Sequence, residues 1–283
     1  FIPSKVSKIC ECAFNSCENL IKVEIPTNTN LQTIESGAFS YSGIKEMFIP
    51  SSISKICEGA FGCCINLTKV EIAPDSNLQT IEKSAFCRSN IEELFIPSNL
   101  RELKEGWCIE TFKLTKIIIS PKNDQFIFKD DKYLIGKSDP NIDEFDKLIF
   151  ASRGIKRISI PSNIKIISSF AFQGCFKLTK VEIPSNSNLQ AIEEYAFSES
   201  SINEIFIPPK VSKICKNTFY CCHHLRKVEI PQNSNLQAIE SEAFYRSGIR
   251  DIFIPSKVSK ICANAFCSCY DFLIIEFSEE SKW

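Results

Sequence analysis

The sequence predicts an α/β solenoid, a stack of short coils with a mostly parallel β-sheet on its concave face and short helical or 3₁₀ turns on its back. Apolar residues recur with a period of 47 residues, as from Val6 to Ile53, and each period holds one coil of 25 residues and one of 22. Most coils carry an Ala-Phe pair and a segment of the form Leu-x-x-Val-x-Ile-Pro. One coil cannot bury its few apolar side chains alone, whereas stacked coils share a continuous core.

The composition excludes several classes of protein. Of the 283 residues 44% are hydrophobic, which is too apolar for a disordered chain. The net charge is −1 with both signs intermixed, so we expect no nucleic-acid partner. No stretch reaches the roughly 18 apolar residues of a membrane helix. Because the sequence opens at Phe1 without a signal segment, we expect any targeting sequence to lie outside it.

The strand-like segments alternate inward and outward side chains, and the Pro that usually follows ends each strand. The Ala-Phe step is apolar but short, which favours a helical or 3₁₀ turn at the back of each coil. Asn and Ser dominate the turns 27–30, 74–77, 185–188 and 232–235, which we expect to be loops at one edge of the stack. The predicted strands lie near 22–25, 46–49, 69–72, 93–96, 180–183, 204–207, 227–230 and 251–254.

Residues 100–163 break the repeat, because Leu100 to Ile164 spans 64 residues and Trp107-Cys108 replaces the Ala-Phe pair. Segments 114–119 and 155–161 still resemble repeat strands, and 126–136 resembles a β-hairpin or a degenerate coil. We therefore expect one solenoid over residues 1–283, with an irregular insert at about 100–163.

Fifteen cysteines would ordinarily suggest a disulfide scaffold, but their positions favour free thiols. Cysteines in one slot recur every second coil, roughly 9.6 Å apart by strand spacing, whereas a disulfide needs Cα atoms within about 7 Å. We expect mostly reduced thiols that pack as small hydrophobic side chains. The slot predicted to point inward holds Cys17, Cys64, Cys175, Cys222 and Cys269, with Ser42, Ser89, Ser200 and Ser247 between them; the slot predicted to point outward holds Cys10, Cys57, Cys215 and Cys262.

The sequence offers no strong catalytic, cofactor or metal motif. Residues 221–224 are Cys-Cys-His-His, which are zinc-ligand types, but four consecutive side chains cannot converge on one tetrahedral ion. A Cys-His nucleophile pair at Cys221 would lack an orienting Asn or Asp fixed by spacing. The nine glycines are scattered and form no phosphate-binding loop. We therefore expect no enzyme activity, no cofactor and no metal.

Two columns of side chains point outward from the predicted strands. In the first, Lys22, Glu46 and Lys69 begin an alternation of charge that predicts ion pairs between neighbouring strands. The second contains four Phe, and an exposed apolar stripe tends to mark an interaction surface. Alternatively, neighbouring Lys stems or loops cover each ring. The candidate ligand-binding residues of this column are Phe48, Phe95, Phe206, Phe253, Glu24, Glu71, Glu182 and Glu229.

The repeat resembles the BspA-type leucine-rich repeats, whose units read as an apolar pair, Ala-Phe, Cys, Leu and Ile-x-Ile-Pro. Nine Ala-Phe or Thr-Phe steps, from Phe14 to Phe266, carry the resemblance, although the coil at 100–121 lacks the step and Thr218 replaces Ala. Members of that family are mainly surface proteins of bacteria and protozoan parasites, implicated in adhesion to host proteins and other cells. The resemblance thus implies a leucine-rich-repeat solenoid that binds a protein or glycan on a host or neighbouring cell.

Two interpretations of function therefore stay open. The first is non-enzymatic recognition by the concave strand face, at the cell surface or outside the cell. The alternative is an intracellular, cytoplasmic protein-interaction scaffold that uses the same face. Unpaired thiols suit the alternative better, because secreted chains normally oxidise paired cysteines.

Overall fold

A computed structural model describes residues 1–269 and 273–278 of the chain. The chain divides into two compact units, an N-terminal unit, Phe1–Asp131, and a C-terminal unit, Lys132–Trp283. In each unit, stacked coils contribute parallel strands to two faces, which we call the main face and the second face. A single solenoid through all 283 residues stays a prediction.

In the N-terminal unit, β2 pairs with β4 and β6 with β8 on the main face, and β1, β3, β5 and β7 form the second face in that order. The segment predicted as a strand at 22–25 makes only one bridge, between Lys22 and Glu46. The other predicted strands of this unit are confirmed. The strands are β1 (Thr33–Ile34), β2 (Glu46–Ile49), β3 (Lys55–Ile56), β4 (Lys69–Ile72), β5 (Thr80–Ile81), β6 (Glu93–Ile96), β7 (Glu102–Leu103), β8 (Lys116–Ile119) and β9 (Phe126–Lys129).

In the C-terminal unit, the main face has the strand order β12-β14-β16-β18-β20-β22. The second face runs β11-β13-β15-β17-β19-β21, and β10 pairs antiparallel with β11. The strands are β10 (Tyr133–Gly136), β11 (Lys147–Ala151), β12 (Arg157–Ser159), β13 (Ile166–Ile167), β14 (Lys180–Glu182), β15 (Ala191–Ile192), β16 (Glu204–Phe206), β17 (Lys213–Ile214), β18 (Lys227–Glu229), β19 (Ala238–Ile239), β20 (Asp251–Ile254), β21 (Lys260–Ile261) and β22 (Ile274–Phe277).

The second face is not among the predicted elements. Most of its strands are only two residues long, and one of the two side chains is buried, as for Ile34, Ile56 and Ile81. Two residues are too few to show the period-2 alternation by which a half-buried strand is recognised. The periodicity of the sequence therefore reveals only the main face.

The prediction of helical or 3₁₀ turns on the back is wrong, since the described residues contain no helix of either kind. Each Ala-Phe step is instead a run of turns. Its successive backbone N–H groups donate alternately to carbonyls of the same coil and to carbonyls of the next coil. Ala38 N donates three residues back within its own coil at 3.1 Å, whereas Phe39 N donates to Ala60 O of the next coil at 2.8 Å. Residues such as Gly37 (φ 60°) and Tyr41 (φ 57°) are left-handed. This alternation interrupts the consecutive intra-segment bonds that a helix requires.

The Phe of each Ala-Phe step lies at the centre of the core. Phe61, Phe172 and Phe219 are fully buried, which confirms the prediction for these three residues. Rings of successive coils stack, as Phe39 and Phe61 do with centroids 5.6 Å apart and planes 2° apart. A truncated ring would therefore leave its neighbours without packing partners.

The cysteines of the inward slot are buried where coils lie on both sides. All fifteen cysteines of the chain are free thiols, and Cys64, Cys175 and Cys222 are buried. Cys64 Sγ donates to Phe39 O at 3.0 Å and meets Ser42 Oγ at 3.5 Å. Cys17, in the first of the described coils, is exposed.

The prediction that the second cysteine slot points to solvent is wrong for two members. Cys57 and Cys215 are buried, at 9% and 7% exposure. Cys57 follows a two-residue strand and lies near the carboxylates of Glu35 and Glu82 in the adjacent coils. Burial raises the pKa of the Cys57 thiol, and these neighbouring carboxylates raise it further. Side chains of adjacent coils thus cover a position that strand alternation alone would expose.

The coil at 100–121 keeps the repeat geometry although it lacks the Ala-Phe pair. Trp107 and Cys108 are buried in its place, and β7 and β8 pair with their neighbours as other strands do. Farther on, Asp130 and Asp131 both have a φ of 53° and lie between β9 and β10.

Candidate functional site

The candidate site is the outward side of the main face. On β2, Met47 and Ile49 are buried, whereas Glu46 is exposed and Phe48 is half-buried. The same order of exposed, buried and half-buried residues recurs on β6, β16 and β20. Strand alternation therefore places one acidic side chain and one Phe of each of these strands on the outside.

The four predicted Phe side chains all lie on this face, and their rings are half-buried. Phe48 is the register partner of Glu71, and Phe206 is the partner of Glu229. Phe95 has a different partner, Ile118. The structure thus brings the predicted Phe and Glu side chains together, and all four predicted Glu are exposed: Glu24, Glu71, Glu182 and Glu229.

The prediction that main-face ion pairs run between neighbouring strands is wrong for four lysines. Lys22 Nζ instead lies 2.8 Å from Glu24 Oε1, two residues further along its own segment. Side chains two residues apart on a strand share one face, so a lysine can reach such a carboxylate. The same arrangement recurs in Lys69–Glu71 at 3.2 Å, Lys180–Glu182 at 2.9 Å and Lys227–Glu229 at 3.3 Å.

One lysine shows what sets the direction of these ion pairs. Ile118 stands two residues after Lys116, where the other lysines have Glu. Lys116 Nζ accordingly reaches across to Glu93 of the neighbouring strand, at 3.2 Å. The residue two positions after the lysine therefore decides whether the pair runs along a strand or between strands.

These pairs also affect the ionisation of the face. The hydrogen bond from Lys22 and its charge lower the pKa of Glu24, and the same contact raises the pKa of Lys22. Lys180 lowers the pKa of Glu182 in the same way. Glu24 and Glu182 are therefore ionised at neutral pH.

A groove of about 220 Å³ surrounds Phe48. The in-strand pairs Lys22–Glu24 and Lys69–Glu71 line it from the two neighbouring coils. Glu46 also lines it. The groove thus combines an aromatic ring with charged groups of both signs.

Ion pairs between neighbouring coils, the kind predicted for the main face, recur on the second face. Lys55 Nζ lies 2.8 Å from Glu82 Oε1 of the next coil, and two further pairs repeat this geometry. These pairs can be recognised in the sequence. In the longer coils a Lys precedes the Ile of the short strand, and in the shorter coils a Glu follows the corresponding Ile. The repeating pairs are Lys8–Glu35 at 3.3 Å and Lys213–Glu240 at 3.1 Å.

Two other grooves lie at the edges of the N-terminal coils. One, of about 540 Å³, includes the predicted Asn- and Ser-rich turns and has only neutral polar lining residues: Ser7, Thr29, Asn30, Gln32, Ser52 and Asn77. The other, of about 450 Å³, includes Tyr41, Cys63, Ile65 and Arg88. Both are separate from the predicted site residues.

The chemistry-bearing residues of the sequence do not assemble into a reactive site. Burial raises the pKa of Cys222 to about 12, so its thiol is protonated at neutral pH. His223 and His224 are exposed. Within residues 1–269 and 273–278, no group of three or more His, Cys, Asp or Glu side chains could hold a metal ion. The same part of the chain contains no helix with the length and hydrophobicity of a membrane span.

Solved structures with the same fold include two bacterial proteins. A leucine-rich cell surface protein from Faecalibacterium prausnitzii is 23% identical with a TM-score of 0.79, over 95% of this chain and 76% of that protein. The pneumococcal vaccine antigen PcpA is 21% identical with a TM-score of 0.74, over 97% of this chain and 61% of that protein. These identities show a shared fold alone. No match was found among curated proteins.

The sequence itself matches a family model. The BspA type leucine rich repeat region matches residues 1–115 and 143–272, with 6 copies. The matched ranges hold the Ala-Phe steps from Phe14 to Phe266 on which the resemblance rests. The chain therefore belongs to the BspA-type leucine-rich repeat family.

Proposed function

We propose that the main face recognises a protein or glycan ligand without catalysis, as an adhesion module at the cell surface or outside the cell. The proposal rests on one observation, the half-buried Phe residues that recur on an otherwise charged face. Aromatic anchors within a charged rim are typical of the residues that dominate binding energy at interfaces. The contact residues are Phe48, Phe95, Phe206 and Phe253, with Glu24, Glu71, Glu182 and Glu229 around them.

An extended ligand suits this face better than a small metabolite. Phe48 and Phe95 lie two coils apart, roughly 9.6 Å by strand spacing. The groove around Phe48 has a volume of about 220 Å³, below the roughly 300–1,000 Å³ of small-molecule pockets. A peptide segment or an oligosaccharide chain could instead contact several coils at once.

The names of similar proteins support a surface location. One is called a leucine-rich cell surface protein and another a pneumococcal vaccine antigen. The ligand we propose is accordingly a protein or glycan of a host or neighbouring cell.

A second candidate function is an intracellular protein-interaction scaffold that uses the same face. The fifteen free thiols favour it, because secreted chains normally oxidise paired cysteines. Labelling intact cells of the source organism with a membrane-impermeant reagent separates the candidates: a labelled protein supports the adhesion module, and an unlabelled protein recovered from the cytoplasm supports the scaffold.

The adhesion proposal is tested by replacing Phe206 and Phe253 with Ser. We expect the double variant to keep nearly the parental melting temperature while its attachment to cultured cells, matrix proteins and arrayed glycans weakens at least tenfold. Phe176→Ser is the control for loss of an accessible ring, because Phe176 is exposed to solvent and lies off the main face. Normal attachment by a folded double variant would place the adhesive site elsewhere, with the Asn-rich edge loops as the next candidate.

A further inference from the structure

We propose that two surfaces of the main face, the groove around Phe48 and the matching surface around Phe206, each bind one basic side chain, arginine before lysine, of an extended peptide segment in a protein partner. This inference rests on the proposed function of the main face and specifies its ligand. It follows from a charge pattern that the two surfaces share and that the surroundings of Phe95 lack.

The two surfaces are built from the same residue types. Around Phe48 lie Glu46 on its own strand and the pairs Lys22–Glu24 and Lys69–Glu71 on the adjacent coils. Around Phe206, Glu204 is the equivalent acid, and the flanking pairs are Lys180–Glu182 and Lys227–Glu229. The pattern therefore occurs once in each unit.

Among the described residues, one carboxylate on each surface has no ion-pair partner. Lys22 and Lys69 are engaged by the Glu residues two positions further along their own segments, although both are register neighbours of Glu46. In the part of the chain that the structure describes, no ion pair involves Glu46 or Glu204. Each surface thus has three carboxylates against two ammonium groups and carries a net negative charge beside an aromatic ring.

This combination fits a basic side chain. A guanidinium can lie over the face of a Phe ring and at the same time donate to a carboxylate. Glu46 and Phe48 are two residues apart and point to the same side, so one arginine can contact both. The hydrocarbon stem of the arginine would cover apolar surface in the groove.

Phe95 provides an internal control. Its strand also carries an acid two residues earlier, Glu93, but Lys116 already occupies that carboxylate at 3.2 Å. The register partner of Phe95 is Ile118 rather than a Glu. On the outward side of β6 the carboxylate two residues before Phe95 is therefore already paired, and we expect no cation to bind there.

The test uses the full chain and two fluorescent octapeptides. In one peptide arginine alternates with serine; in the other, citrulline, a neutral isostere, replaces each arginine. We expect the citrulline peptide to bind at least tenfold more weakly. The Glu46→Gln, Glu204→Gln double variant should bind the arginine peptide about fivefold more weakly, since each surface loses its ion pair with the peptide but keeps its ring.

The matched control is the Glu92→Gln, Glu93→Gln double variant, which removes two negative charges beside Phe95. It should bind the arginine peptide within about twofold of the parent. An equal loss in both double variants would overturn the inference, because long-range charge would then explain the binding. Equal binding of the two peptides would also overturn it. In that case, the affinity of both peptides for a Phe48→Ser, Phe206→Ser variant is measured. A loss of affinity for both would show that the main face is a binding surface that does not select a basic side chain.

Discussion

Each unit contains two columns of phenylalanine that differ in their surroundings. The core column, which includes Phe61 and Phe172, lies in the Ala-Phe steps, where the rings are buried and stack between coils. The main-face column, which includes Phe48 and Phe206, lies on the outward side of strands, where the rings are half-buried among charged groups. The same residue type is thus available for stability in one column and for binding in the other.

The comparison extends to the ion pairs. On the main face most lysines pair along their own strand, so these pairs do not link neighbouring coils. On the second face three recurring pairs join consecutive coils, as Lys55–Glu82 does. We infer that the back and second face hold the stack together more than the outward side chains of the main face do, so that changes of those outward side chains should affect stability less.

The largest expected effect is the loss of a core ring. Phe172→Ala should lower the free energy of unfolding by about 3–5 kcal/mol, because a fully buried ring leaves a cavity between stacked neighbours. Urea denaturation measures this change. A midpoint within error of the parent would remove Phe172 from the core column.

A smaller effect should follow from backbone geometry on the back. Gly59 has a φ of +61° with open space around the position of a Cβ, so Gly59→Ala should cost about 1 kcal/mol through backbone strain alone. The reciprocal change is Ser84→Gly at a φ of 57°, which should be neutral or stabilising. Thermal denaturation of both variants checks the pair. If the two variants shifted the melting temperature equally and in the same direction, the left-handed backbone at Gly59 and Ser84 would be contradicted.

The smallest effect should distinguish the two kinds of ion pair. In double-mutant cycles, Lys55–Glu82 should give a coupling near the upper end of the 0.2–1 kcal/mol range of exposed pairs. Lys69–Glu71 should give almost none, since the Glu71 side chain is 61% exposed against 23% for Glu82. A larger coupling energy for Lys69–Glu71 than for Lys55–Glu82 would contradict the different roles assigned to the main and second faces.

The Lys55–Glu82 pair also predicts a pH dependence. The hydrogen bond that Lys55 donates to Glu82 raises the pKa of Lys55. The stabilisation is therefore present below the ordinary lysine pKa and is lost as the pH rises through the raised value. Parent and Lys55→Met should differ in stability at pH 8 and converge at strongly alkaline pH.

Much of the fold follows from the sequence because the repeat is long and regular. The buried rings at Phe61 and Phe219 and the main-face strands β4 and β18 are predicted by apolar spacing alone. The second face is not, because two-residue strands carry no alternation. The back of the coils is wrongly predicted, because an apolar pair is compatible with a helix and only the left-handed residues at Gly37 and Tyr41 exclude it.

The site is predictable in its positions and less so in its electrostatics. Strand alternation places Phe48 and Glu71 on the outward side, where both are found. Covering side chains from adjacent coils are not visible in one strand, which is why Cys57 is buried against expectation. The choice of Lys22 between Glu24 and Glu46 also depends on side-chain geometry that charge alternation cannot supply.

The most direct test compares two phenylalanines of the same coil, Phe197 in the core column and Phe206 on the main face. Phe197→Ser and Phe206→Ser are measured for urea stability and for attachment to the cells or arrays bound by the parent. We predict that Phe197→Ser loses about 3–5 kcal/mol of stability or fails to fold, while Phe206→Ser stays within about 1 kcal/mol of the parent and attaches less. Equal loss of stability in the two variants, or undiminished attachment of Phe206→Ser, would contradict this prediction.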